Sequence, residues 1–303
     1  MSETLSKKDV IYAFSSEHQP VKKVDAGTTI EIETYDCFKD QVQSPETKIS
    51  GIDWDAINPA TGPIYVNGAE PGDVLKVTIK KLEIGNQGVM ATGPDLGVMG
   101  HRLTELESKI IPIENNRAKF NDKLSLPLNP MIGVIGVAPA GDPVSCGTPG
   151  SHGGNMDTKL ITEGAVLYFP VSAQGALFAL GDFHAAMGDG EVCVSGIEVP
   201  GRATVTLDVV KQTEIRHPLL ENESGFTYLV SANTLDEAVK TAVEETADLL
   251  ADRTGLSLAD VTMLLSAVGQ VQVSQVVDPL VTVRCFVPRY VLETYGAVLF
   301  TGE

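Results

Sequence analysis

Two short segments of this chain hold more polar and glycine residues than a structural role requires. Residues 149–157 read Pro-Gly-Ser-His-Gly-Gly-Asn-Met-Asp. Glycine permits close backbone approach and unusual torsions, so His152, Asn155 and Asp157 can converge on one point. Residues 181–191 read Gly-Asp-Phe-His-Ala-Ala-Met-Gly-Asp-Gly-Glu and lie between two apolar runs, 175–180 and 192–199, read as strands. If the first strand continues to residue 184, alternation puts Asp182 and His184 on one face. A carboxylate and an imidazole so placed are natural metal ligands, and His152 or a further carboxylate could complete the set. Imidazole suits zinc and similar metals, whereas a carboxylate-only corner suits calcium or magnesium. The plainer reading is that Asp182, Asp189 and Gly190 shape turns, since Asp-Gly is a strong hairpin signal. His18, His101 and His217 sit in polar, loop-like contexts and read as surface residues.

Thiol chemistry is the rival. Cys37 follows Asp36, and Cys193 stands two residues after Glu191, on the same face of a strand there. A reactive thiol needs a cation or helix N-terminus to depress its pKa, and only Lys39 is near in sequence. Cys146, Cys193 and Cys285 read as buried, inert residues. There is no G-x-S-x-G elbow, G-x-G-x-x-G or P-loop, so a nucleotide cofactor is not indicated.

Positioning these segments falls to β structure. Residues 29–33, 74–79 and 203–209 alternate apolar and polar side chains with the period of a half-buried strand. Residues 131–138 and 165–171 are short, nearly continuous apolar runs, as in strands buried on both faces. Asn58-Pro59, Gly62-Pro63 and Glu70-Pro71-Gly72-Asp73 read as turns between them. Many short strands with turn signals predict a β-sandwich or distorted barrel. The character changes near residue 225. Thr234 and Glu237 form a capping box, and an apolar stripe from Leu235 to Leu250 predicts a helix stopped by Gly255. A second helix opens at residues 257–260 and ends near Gly269, with strands expected at 271–277 and 280–286. The chain therefore reads as a mainly β core over residues 1–224 and a smaller C-terminal α+β unit over 225–303.

At 303 residues with 43% hydrophobic and 20% charged residues, the composition is that of a globular protein with a sizeable core. The formal charge of -18 repels nucleic acid and anionic membrane surfaces, leaves a small neutral substrate unaffected and favours cations. Four scattered cysteines without a CxxC pair give no disulfide framework. A polar start and the lack of a long apolar run lead to a cytoplasmic expectation.

Longer blocks resemble the acetamidase/formamidase family. Residues 150–157 and 181–191 look like its two central blocks, and Asn58-Pro59-Ala60-Thr61-Gly62-Pro63-Ile64-Tyr65-Val66, residues 68–75 and residues 133–139 are similar to its N-terminal half. Around residues 33–41 the chain departs from the family pattern at 37–40 but keeps Asp36. The resemblance implies hydrolysis of formamide, acetamide or similar short linear amides to a carboxylate and ammonia. It further implies a CUB-like β-sandwich, a homodimer or homotetramer, and bound divalent cations, zinc and/or calcium. On that basis Asp36, His152, Asp182 and His184 are the expected metal ligands, Glu191 the proton carrier, and Asp157 and Asn155 the orienting groups. Two alternatives remain open: a Cys37 or Cys193 nucleophile for the same reaction, and a non-catalytic metal- or ligand-binding protein on this scaffold.

Overall fold

The computed structural model describes residues 3–211 and 213–300; the outermost residues of the two sequence-defined spans, 1–2 and 301–303, lie outside them. Alternation acts as expected in strand Thr28–Thr34, where Ile30, Ile32 and Thr34 are buried and the intervening acids are half-exposed. That strand pairs with Gly201–Val210, which pairs on its other side with Val74–Ile84. The register sets Val205 opposite Ile30 on one neighbour and Ile79 on the other, building a continuous apolar face. The nine-stranded sheet continues through Val166–Pro170, Leu219–Asn222, Gly225–Ala232 and Val281–Pro288 to the edge strand Gln270–Gln275, with Glu3–Leu5 at the far edge. It runs unbroken across residue 225, where Leu219–Asn222 and Gly225–Ala232 form a hairpin.

An eleven-stranded sheet carries the two polar segments. At its centre Phe178–His184 lies between Met131–Gly136 on one side and Ala60–Asn67 and Glu198–Val199 on the other. Gly153–Asn155 pairs with the outer side of Met131–Gly136. The two sheets pack face to face: Ile30, Leu75, Val77, Val205 and Leu207 from one meet Ile132, Phe178, Leu180 and Phe183 from the other. The result is a sandwich, and the described strands close no barrel.

The other face of the nine-stranded sheet is covered by helices. Leu167 and Phe169 join the inter-sheet core while Tyr168 between them joins the second core, as alternation requires. Helix α1, Leu235–Thr254, starts at the N-cap Thr234, whose side chain accepts from Glu237 N, and ends at Gly255 with φ 71°. Helix α2, Leu258–Val268, is capped by Ser257. Ala238, Ala242, Leu250, Val261 and Leu265 pack from these helices on Phe226, Tyr228, Val230 and Val283. No described helix is long and apolar enough to cross a membrane.

Three local expectations fail. Residues 192–197 form no strand; only Glu198–Val199 does. The chain turns at Glu191 and Val194, with φ of 46° and 78°. Ser195 Oγ fixes that loop by accepting from Ala91 N and donating to Ala91 O. Gly62-Pro63 is not a turn but lies inside Ala60–Asn67. A side chain at Gly62 would meet Ala179 Cβ at 2.8 Å, so glycine there allows the strand to pack against Phe178–His184. Finally, a short helix, Arg289–Thr294, follows Pro288 where no pattern announced one.

Candidate active site

Strand register assembles the site. His184 stands opposite Glu198 across one ladder, and Val134 opposite Asn155 across another. Asp182 is reached through a left-handed backbone, φ 56°, within the strand. Its Oδ1 still lies 3.5 Å from His184 Nε2, so the pair meets as strand alternation suggested. Glu198 Oε2 is 3.2 Å from the same nitrogen, Asp157 Oδ1 3.6 Å and Glu191 Oε1 3.9 Å. All five side chains are buried.

Two glycines make the space. A Cβ at Gly133 would stand 2.4 Å from Asp157 Oδ1 and 2.7 Å from Asp182 Oδ2. One at Gly196 would stand 2.5 Å from His184 Nδ1. The carboxylates therefore converge over a bare stretch of backbone, and the imidazole approaches another closely. Asp157 and Glu191 share with Asp182 a left-handed backbone, at φ 39° and 46°. Such strain in non-glycine residues costs on the order of 1–3 kcal/mol each and clusters where geometry serves function.

The remaining sequence candidates are placed as follows. Asn155 Nδ2 donates to Asp278 Oδ2 at 3.1 Å, while its Oδ1 is buried with no hydrogen-bond partner. Asp36 is tied into a local turn: its Oδ1 accepts from Asp40 N, and Asp40 Oδ1 accepts from Asp36 N. Burial pushes the Asp36 carboxyl up to about 7, with the Asp40 and Asp182 charges adding to the rise against bonds from backbone N–H groups. His152 packs edge-on against Phe14 at 5.3 Å, and burial lowers its imidazole to about 4. Among the described residues no carboxylate lies within ion-pair distance of His152, and its Nε2 is buried without a hydrogen-bond partner.

Three contributors escaped sequence reading. Glu198 is a lone acid in the apolar run Gly196-Ile197-Glu198-Val199, a signal that could have been used. Asp278 enters from the loop between Gln270–Gln275 and Val281–Pro288 and looks in sequence like an ordinary Asp-Pro turn. Cys37, considered only as a nucleophile, has its sulfur within 4.8 Å of ligand atoms of Asp182 and Glu198.

A pocket of ≈ 130 Å³ opens here. Asn155, Asp182, Glu191, Glu198 and Asp278 supply its polar lining, and Phe38, Trp54, Ile57, Leu96 and Val194 its apolar lining. At ~30 Å³ per water, that is room for about four waters, the bulk of a molecule with a handful of heavy atoms.

The protein groups of this cluster cannot all ionise together. Burial, reinforced by neighbouring carboxylates, raises Asp157, Glu191 and Asp278 well above the ordinary carboxylate range and Glu198 to about 8. Burial opposes charge on His184, but the Glu198 and Asp182 carboxylates overcome it and hold the imidazole well above its usual value. Burial likewise raises Asp182, yet His184 beside it brings that carboxyl below the ordinary range. Asp157 Oδ1 and Oδ2, Asp182 Oδ1, Glu198 Oε2 and His184 Nδ1 are buried without hydrogen-bond partners. Leaving such atoms unpaired is costly. Asp157, His184 and Glu191 each offer a ligand atom within 4.8 Å of the others, as do Cys37, Asp182 and Glu198. Orphaned oxygens around an imidazole and a thiol are a donor set that fits a divalent cation.

Comparison with known proteins places the chain in a family. The acetamidase/formamidase family pattern matches residues 8–146 and 140–294. A crystal structure from Thermoanaerobacter tengcongensis, described as a predicted acetamidase/formamidase, is 51% identical, with a TM-score of 0.96 over 98% of each chain. A Bacillus halodurans acetamidase structure is 44% identical, with a TM-score of 0.95 over 97% of this chain and 100% of that one. The acetamidase of Mycolicibacterium smegmatis is 30% identical over 138 residues, 42% of this chain and 32% of that protein. The aligned segments span less than two thirds of the curated relatives matched. With the pattern covering most of its length, the chain belongs to the acetamidase/formamidase family.

Proposed function

We propose that this protein hydrolyses short linear amides, such as formamide or acetamide, to the carboxylate and ammonia with the help of a bound divalent cation. The observation that carries this reading is the buried set of hydrogen-bond-free carboxylate oxygens around His184, opening onto a pocket of small-amide size. His184, Asp157 and Asp182, with Glu198 beside them, would hold the cation; the imidazole and the Cys37 sulfur favour zinc, the carboxylates calcium. Such a cation supplies Lewis acidity, making water more acidic and an amide carbonyl more electrophilic.

The chain's own groups then have distinct tasks. Glu191 lines the pocket and, at 3.9 Å, is the farthest of the four carboxylates within ion-pair distance of His184 Nε2. Its raised affinity for protons suits it to take one from water and return it to the leaving nitrogen. Asn155, its amide oriented by the bond to Asp278, offers a free Oδ1 to the substrate N–H group. The apolar lining excludes bulk water and limits the acyl group to a short one.

The cysteine route has less physical support. Cys37 lines the pocket, but burial and the Glu198, Asp182 and Asp36 carboxylates raise its thiol well above the usual value, the reverse of nucleophile activation. Cys193 lines a second groove with Met90, Leu126 and Ile197, which shares Glu191 with the pocket, and its sulfur lies against Ser195 O. We further propose a cytoplasmic, homo-oligomeric enzyme whose two sequence-defined parts, 1–224 and 225–303, share the nine-stranded sheet.

The test is ammonia release from formamide and acetamide before and after chelation, with zinc, manganese, calcium or magnesium added back. Activity lost on chelation and restored by one metal supports the proposal. Activity indifferent to chelation sinks the metal-assisted route and returns attention to Cys37. No release with any metal favours the non-catalytic binding protein.

A further inference from the structure

Arg284 is among the largest fully buried side chains, 1% exposed, and lies outside the catalytic cluster on strand Val281–Pro288. Its own hairpin fixes it: Nε donates to Gln272 Oε1 at 2.8 Å, and Nη1 to Val273 O at 3.1 Å and Ser274 Oγ at 3.2 Å. The fork then grips Asp189 with two parallel bonds, Nη1 to Oδ1 at 2.9 Å and Nη2 to Oδ2 at 2.7 Å. Lys159 Nζ joins the same carboxylate at 2.8 Å. One residue on, Gly190 N donates to Ser274 O at 2.7 Å, and Val276 N to Gly190 O at 3.2 Å. The next residue is Glu191, on a left-handed backbone.

A buried arginine is a poor way to stabilise a fold, because well-packed apolar residues do as well or better. Its geometric consequence is more telling. The bidentate clamp and the two-bond bridge fix both residues before Glu191 on a rigid strand pair, which limits where the Glu191 carboxylate can point. The same hairpin orders Asp278: Gln275 Oε1 accepts from Val277 N and Asp278 N, and its Nε2 donates to Leu280 O.

We propose that Arg284 is a positioning residue for Glu191, acting through Asp189 to hold the segment that presents the Glu191 carboxylate to the pocket. This rests on the assignment of Glu191 as proton carrier. Its test uses the full metal-loaded chain and the better of formamide and acetamide, with kcat, KM, metal content and thermal unfolding measured for each variant. Arg284→Met and Asp189→Asn are expected to lower kcat about 10–100-fold, with KM moving less than about threefold and metal content unchanged. Arg284→Lys should recover part of the loss, since an ammonium cannot reproduce the two-bond fork. In a Glu191→Gln background, Arg284→Met should cost no further residual activity, because the clamp then has nothing to aim. Normal kcat in folded Arg284→Met or Asp189→Asn overturns the proposal, as do losses that multiply with Glu191→Gln. If Arg284→Met does not fold, the near-isosteric Asp189→Asn decides alone. Full activity in Glu191→Gln would instead remove the proton-carrier assignment, and the positioning role with it; an inactive Glu191→Gln beside a normal Asp189→Asn sinks only the positioning role.

Discussion

At the scale of single residues, the site depends as much on missing side chains as on those present. Gly133 has an ordinary backbone, so what matters there is the absent Cβ, which would lie 2.4 Å from Asp157 Oδ1 and 2.7 Å from Asp182 Oδ2. Both oxygens sit in a packed interior with little freedom to retreat. Gly133→Ala should therefore leave the fold intact but displace the carboxylates, lowering bound metal and cutting kcat about tenfold or more. Metal analysis alongside ammonia release checks this; a fully loaded, fully active variant would show that the two carboxylates do not act together. Trp54, the only tryptophan of the chain, lines the pocket with Phe38 and Leu96. One methylene in such a pocket changes discrimination by about 1–3 kcal/mol. Trp54→Ala should raise kcat/KM for butyramide relative to acetamide about tenfold or more, and an unchanged ratio would place the size limit elsewhere.

At the scale of elements, what could be read from sequence followed from local physics. Alternation located Thr28–Thr34, Val74–Ile84 and Gly201–Val210, and the Thr234 cap and Gly255 stop bounded α1. Thr234 Oγ1 accepts from Glu237 N at 3.2 Å, far from the catalytic cluster. Thr234→Ala should cost about 1 kcal/mol of stability, seen as a thermal midpoint lower by roughly 1–2 °C. kcat should not change, and a drop in kcat per folded molecule would mean that α1 is coupled to the site. The pairing of distant segments was not readable. Glu198 meets His184 only because an antiparallel register sets them opposite, and Asp278 arrives from a loop more than ninety positions downstream of His184. The two central polar segments were legible because glycine and acid density is a local signal. His152 shares that signal, and its edge-on contact with Phe14 is set by packing across elements. Residues 192–197 misled for the same reason: their apolar composition suits a strand, yet a left-handed Val194 and the Ser195 bonds to Ala91 make them a loop.

At the scale of the whole molecule, the acidic surface and the acidic interior must be distinguished. A formal charge of -18 gathers any cation loosely, and salt screens that attraction over about 8–10 Å in ordinary buffers. The cluster of Asp157, Asp182, Glu191 and Glu198 is buried and repels itself, so a cation bound there would be screened far less. Binding to the folded state alone, at a concentration near 100 times the dissociation constant, adds about 2.7 kcal/mol. For a chain of this size, with an unfolding entropy of about 2.1 cal/mol/K per residue, that corresponds to a thermal midpoint roughly 4 °C higher. Chelation should therefore lower the midpoint by that amount, and stoichiometric zinc or calcium should restore it. The restoration should survive about 0.3 M sodium chloride, because the interior site lies beyond the reach of the Debye atmosphere. A midpoint insensitive to chelation would mean that the buried carboxylates are balanced by protons alone. A stabilisation abolished by salt would assign it to the surface field rather than to the His184 cluster.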